Sequence, residues 1–168
     1  MDPNFSRTVV LVLLHDEGGA FGLILNRPTL VPIAEHLPYW VEHVATPARF
    51  FEGGPVQKES AIGLAQGEGV GTPDGWSPMP LGLGLVDLER QPDDVPAVIE
   101  RVRLFVGYAG WSPGQLDGEL QQGGWFVVPC EAGDVFTDRP AVLWREVLLR
   151  QPGKLAMFAY VPTDPRVN

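Results

Sequence analysis

Short apolar runs alternate with glycine- and proline-rich connections along the chain, and this pattern predicts most of its elements. Residues 7–14 form a continuous, partly β-branched apolar run, which reads as a strand buried on both faces. Asp16-Glu17-Gly18-Gly19 is a turn signal and residues 20–25 resume the apolar strand, so the two make a β-hairpin. Asn26-Arg27-Pro28 ends it, because proline has no N–H to give a ladder. Ile33, Leu37, Trp40, Val41 and Val44 recur at helical spacing and predict an amphipathic helix over 33–44, bent or split at Pro38. Phe50-Phe51 leads into a tight loop, Glu52-Gly53-Gly54-Pro55.

Residues 61–65 read as a short strand, 66–80 as a Gly/Pro-rich loop and the most mobile part, and 83–88 as a strand. Asp93-Asp94 suit the positive end of a helix running to 102, followed by a strand at 104–108. Ala109-Gly110-Trp111-Ser112-Pro113 is a loop that opens a short helix to 122, with Ser112 as N-cap, and Gly123-Gly124 stops it. A strand is expected at 125–129. Asp138-Arg139-Pro140 opens a last amphipathic helix to 150, built on Val142, Leu143, Trp144, Val147 and Leu148. A final strand at 155–161 and a loose polar tail at 162–168 complete the reading.

These elements make one α+β domain spanning 1–168. A chain of 168 residues needs no metal or disulfide staple. The net charge of -9 and the lack of any dense basic cluster argue against direct nucleic-acid binding and against an anionic membrane surface. No apolar run is long enough to span a bilayer, and Met1-Asp2-Pro3-Asn4 carries no secretory pattern. The single cysteine, Cys130, fits a reducing, cytoplasmic compartment.

Self-sufficient catalytic motifs are missing. There is no Gly-x-Ser-x-Gly elbow and no cofactor fingerprint, and His15, His36 and His43 show no paired metal spacing. Cys130 sits next to Glu131, which would raise its pKa rather than activate it. What remains are loop residues with two readings each. Arg27, after Asn26, either binds an anionic ligand with its planar fork or pairs with an internal acid such as Glu52. Gly53 and Gly54 either let backbone approach a ligand or form a strained turn before Pro55. Trp111 either walls a pocket or packs in the core. Gln115 and Glu119, one helical turn apart, share a face near a helix start.

Taken together, Asp2-Pro3-Asn4-Phe5-Ser6-Arg7-Thr8-Val9-Val10, Gly19-Ala20-Phe21-Gly22-Leu23-Ile24-Leu25-Asn26-Arg27-Pro28, Phe51-Glu52-Gly53-Gly54-Pro55-Val56 and Phe105-Val106-Gly107-Tyr108-Ala109-Gly110-Trp111-Ser112-Pro113-Gly114-Gln115-Leu116 carry a resemblance. With Glu119, Gly123-Gly124-Trp125 and Leu143-Trp144-Arg145, they make the chain resemble the YqgE/AlgH family of bacterial proteins over nearly its whole length. The resemblance implies a mixed, bifurcated sheet that includes a small barrel, surrounded by helices. It implies no defined activity, and the regulatory label attached to AlgH is not a mechanism. The family has a further apolar strand before the Asp2-Pro3 motif. If that strand is absent here, an open sheet edge would allow pairing with a second copy. Cys130 is outside the family pattern.

The preferred functional reading is a non-catalytic module that binds a protein or small ligand, with a regulatory or accessory role and no cofactor. The alternative is a hydrolase- or transferase-type enzyme using Glu52, Arg27 and Glu119 in a cleft. An enzyme predicts these residues converging on a water-accessible hollow. A binding module predicts them held in internal hydrogen bonds, with a separate exposed apolar patch.

Overall fold

The computed structural model describes residues 3–69 and 75–161. Strands β1 (Val10–Asp16) and β2 (Gly19–Ile24) form the expected hairpin, paired from Val10↔Ile24 to Asp16↔Gly19. Asp16 closes the turn by accepting the Gly18 N–H at 2.7 Å. Strand β3 (Pro28–Pro32) follows, then two 3-10 turns (Ile33–Glu35 and Pro38–His43) and β4 (Arg49–Glu52). Next come β5 (Val56–Gly69), β6 (Trp76–Met79) and β7 (Leu83–Val86). After a 3-10 turn at Pro92–Asp94 comes β8 (Ala97–Trp111), the longest described strand. Helices α1 (Gln115–Gln121), α2 (Ala132–Val135), α3 (Pro140–Leu149) and α4 (Leu155–Phe158) complete the described chain.

The fold is α+β, with a mostly antiparallel sheet curled into a half-barrel. The strand order is β1-β2-β8-β5-β7-β6, and the sheet branches at β8. One edge of β8 pairs antiparallel with β5. Its other edge is divided: Ala109–Trp111 pairs with β2, whereas Phe105–Val106 pairs parallel with β4. Gly53 fills the fork. Its N–H donates to Val106 O at 2.9 Å, and its carbonyl accepts the Ile24 N–H of β2 at 2.9 Å. A Cβ on Gly53 would lie 2.3 Å from Gly107 O, and one on Gly54 2.2 Å from the Tyr108 carbonyl carbon. Only glycine lets these backbones meet.

Adjacent strand residues serve opposite faces, as the pleat requires. Phe51, Leu64 and Phe105 join Leu11, Leu13, Leu23, Leu143 and Val147 in the core beneath the helices. Phe50, Ala65 and Leu104 face the other way, into a core with Ile33, Trp40, Trp76, Val86 and Val95. Full burial of each large side chain contributes about 1.5–3 kcal/mol, so these two clusters dominate the folding free energy.

Several sequence expectations are corrected. Strand β1 is buried on one face only: Val12 is 44% and Leu14 54% exposed, because no described residue covers the face opposite Leu11 and Leu13. The helix expected over 33–44 is two 3-10 turns, the second opened by Pro38, which supplies no N–H. The helix expected from Asp93 to 102 is a single turn. Pro96 bars the α conformation at Val95, and the chain enters β8 at Ala97. The strand β8 also absorbs the loop expected at 109–111.

The loop expected at 66–80 is largely sheet. Strand β5 continues to Gly69 and β6 begins at Trp76, while residues 70–74 lie outside the described residues. Gly69, at the end of β5, and Gly84, on the neighbouring β7, serve close packing: their Cβ atoms would sit about 2.5 and 2.3 Å from the Trp76 ring. Residues 125–129 join no strand ladder, because the Trp125 indole is drawn onto α1 instead. Residues 155–158 are helical and pack on α3 rather than pairing with a strand. The tail at 162–168 lies outside the described residues.

Candidate functional site

The strand-to-helix connection after β8 places Trp111, Gln115 and Glu119 together. Glu119 Oε2 accepts the indole N–H of Trp125 at 2.7 Å and that of Trp111 at 3.1 Å. Its Oε1 accepts the Gln115 side-chain N–H at 3.0 Å, and Gln115 Oε1 accepts the Ser112 N–H at 3.0 Å. Phe5 stacks on Trp111 and meets the edge of Trp125. Burial alone would push the Glu119 carboxyl up, but the donors from Trp125, Gln115 and Trp111 outweigh it and hold the carboxyl below its ordinary range. Both carboxylate oxygens of Glu119 therefore accept hydrogen bonds from within the scaffold. Trp125 is the member that sequence reasoning missed as a partner.

Asn26 and Arg27 act on the N-terminal segment. Asn26 accepts the Val9 N–H and donates to Arg7 O, both at 2.9 Å. The Arg27 guanidinium donates to the carbonyls of Asn4 at 2.6 Å, Ser6 at 3.3 Å and Pro3 at 3.4 Å. It thus binds backbone rather than the Glu52 carboxylate. Glu52 instead accepts from Lys58 Nζ at 3.1 Å, and only its N–H reaches Arg27 O, at 2.8 Å. Arg7, at φ 54, lays its guanidinium 4.8 Å over Trp144, tying this segment to α3. Gly53 and Gly54 are consumed by the fork beside β8.

Two further polar groups lie deep in the fold, and sequence reasoning named neither. Arg103 is 1% exposed, donates to Thr46 O at 2.8 Å and Thr137 O at 2.9 Å, and lies 4.4 Å over the Phe51 ring. Burial and the nearby Arg101 charge lower its pKa to about 10, against the opposing pull of Asp138. Asp134 makes a bidentate pair with Arg150, which also meets Glu131 at 3.1 Å. Beside them, burial pushes the Cys130 thiol up, with Asp134 adding to the shift and Arg150 opposing it. Among the described residues, no group of His, Cys, Asp and Glu is placed to hold a metal.

The open concavity lies elsewhere, on the sheet face away from the helices. It encloses about 630 Å³. Its floor is Phe50, Val106, Ala61 and Val86, one residue from each of the consecutive neighbours β4, β8, β5 and β7. Val31 and Leu37 form one wall, and Leu88 the other. Glu59, Asp87 and Glu89 stand at the rim. Asp87 is paired with Arg90 at 3.6 Å, while Glu59 and Glu89 have no ion-pair partner among the described residues. The Thr29 hydroxyl is turned to Phe50 O at 2.9 Å, so it is not offered to the hollow. None of the eight residues singled out from the sequence lines this groove. Its members come from five separate segments, and the one local signal is the acidic pair Asp87-Leu88-Glu89 directly after an apolar strand.

Comparison with known proteins places this geometry in a lineage. A UPF0301 protein of Streptomyces coelicolor, SCO2948, is 48% identical over 171 residues, covering 99% of this chain and 89% of its own. A UPF0301 protein of Thermobifida fusca is 45% identical over 177 residues, with 99% and 89% covered. The crystal structure of protein DIP2367 from Corynebacterium diphtheriae superposes with a TM-score of 0.85 at 31% identity, over 95% of this chain and 85% of that one. The solution structure of the AlgH protein from Pseudomonas aeruginosa gives 0.66 at 26% identity, over 97% and 88%. A family model described as AlgH-like matches residues 1–156, and the chain belongs to that family.

Proposed function

We propose that the protein is a non-catalytic binding module with an accessory or regulatory role, and that the groove between β3 and the segment after β7 receives its ligand. One contrast carries this reading. Arg27, Glu52, Gln115 and Glu119 are each engaged within the chain, whereas the groove leaves apolar floor and two rim carboxylates uncommitted. Concave, mostly apolar surfaces with few polar groups are where ligands bind. The charge of -9 speaks against nucleic acid as that ligand, and the single cysteine supports a reducing, cytoplasmic setting. No described helix is long and apolar enough to cross a membrane.

A neutral, environment-sensitive dye such as Nile red tests the site. Its fluorescence should rise on addition of the protein, and Ala61→Trp, which fills the floor, should abolish the rise with the fold intact by circular dichroism. A rise that survives Ala61→Trp would place the ligand surface elsewhere.

A further inference from the structure

On the reading that the groove is the ligand site, we infer that its occupant is a basic, amphipathic peptide segment of a partner protein. The groove has the anatomy of a protein interface, with an apolar centre and a polar rim. A small-molecule site would instead place polar groups on the floor to orient its ligand. Here the floor is Phe50, Ala61, Val86 and Val106, the nearby hydroxyl, Thr29, is spent on backbone, and the one imidazole of the lining, His36, packs edge-on against Phe50. The rim is acidic: Glu59, on β5, and Glu89, just after β7, stand exposed without cationic partners among the described residues. A segment that sets aliphatic side chains on the floor brings lysine or arginine to these carboxylates. The overall charge of -9 steers such a basic partner in and repels a second copy of this chain.

Fluorescence anisotropy on the full chain tests this with a short labelled peptide alternating leucine and lysine, and its leucine–glutamate counterpart. The basic peptide is expected to bind about tenfold tighter at low salt, the size that two exposed ion pairs allow. In Glu59→Lys/Glu89→Lys the order reverses, and in Glu59→Gln/Glu89→Gln the two peptides bind alike. Ala61→Trp removes binding of both, with Ala61→Leu as the milder substitution if tryptophan disturbs the fold. Equal binding of the two peptides to the native chain, or a preference unmoved by charge reversal, overturns the inference and leaves the groove standing as a site. Peptide binding that ignores both Ala61 substitutions overturns inference and site together. Dye binding with neither peptide bound overturns it in favour of a small apolar ligand. A dimer in sedimentation that Ala61→Trp dissociates overturns it in favour of self-association.

Discussion

Trp125 donates its indole N–H to Glu119 Oε2 at 2.7 Å, and through that bond the coil after α1 is fixed to the end of β8. Glu119→Gln leaves one acceptor oxygen where two served three donors, so either the indoles or the Gln115 amide meets an N–H instead. The expected loss is about 1.5–3 kcal/mol at neutral pH, the size of hydrogen bonds to a charged group. Because the carboxyl titrates lower in the folded chain than in the unfolded one, its stabilisation is complete above the ordinary carboxylate range. It is lost as pH falls through the folded value. Urea titrations of the two proteins should therefore converge in acid.

Asn26→Ala should cost about 1–3 kcal/mol, since it leaves the Val9 N–H and the Arg7 carbonyl without their partners. Arg27→Ala should act more locally, releasing residues 3–6 from their clamp. Hydrogen exchange at the Val9 amide reads the first effect and limited proteolysis before Val9 the second. Arg27→Lys should not restore protection, because a point charge cannot reach carbonyls that the planar fork spans.

Two glycines should respond to alanine with opposite signs. Gly53→Ala forces a methyl to 2.3 Å from Gly107 O and should destabilise by about 1–3 kcal/mol or more. Gly118, inside α1, has open space where a Cβ would lie, and Gly118→Ala should stabilise by about 0.5–1 kcal/mol. Paired thermal melts decide both.

Cys130 should alkylate slowly at neutral pH, because burial and the neighbouring Asp134 raise its thiol above the ordinary range. Arg150 is the one opposing charge, so Arg150→Gln should slow the reaction further and move its pH profile upward. Iodoacetamide kinetics across pH measure this; a faster variant would reverse the assigned sign.

Local chemistry made parts of this fold legible and long-range contact hid the rest. The turn at Asp16-Glu17-Gly18-Gly19 and the Pro140 helix start depend on neighbours in sequence, and both stand where the pattern places them. Residues 66–69 and 75–80 read as loop because glycine signals turns, yet Gly69 leaves room for the Trp76 ring from another strand. In residues 93–102 the acidic cap favoured a helix, while Pro96 and the β-branched Val98, Ile99 and Val102 favoured the strand that formed. The Gly107–Glu119 stretch was recognisable as a cluster, since Gln115 and Glu119 share a helix face. The role of Trp125 was not, because it depends on how the chain returns. The groove was invisible for the same reason: its floor exists only once four strands are laid side by side.

The fifteen residues of β8 have a mechanical consequence. Because β2, β4 and β5 all pair with this single strand, it supplies both hydrophobic clusters, Phe105 to one and Val102 and Leu104 to the other. The branching that looks like two joined sheets thus shares one backbone, and Val106 of the groove floor stands only five residues from Trp111, whose indole is held by Glu119.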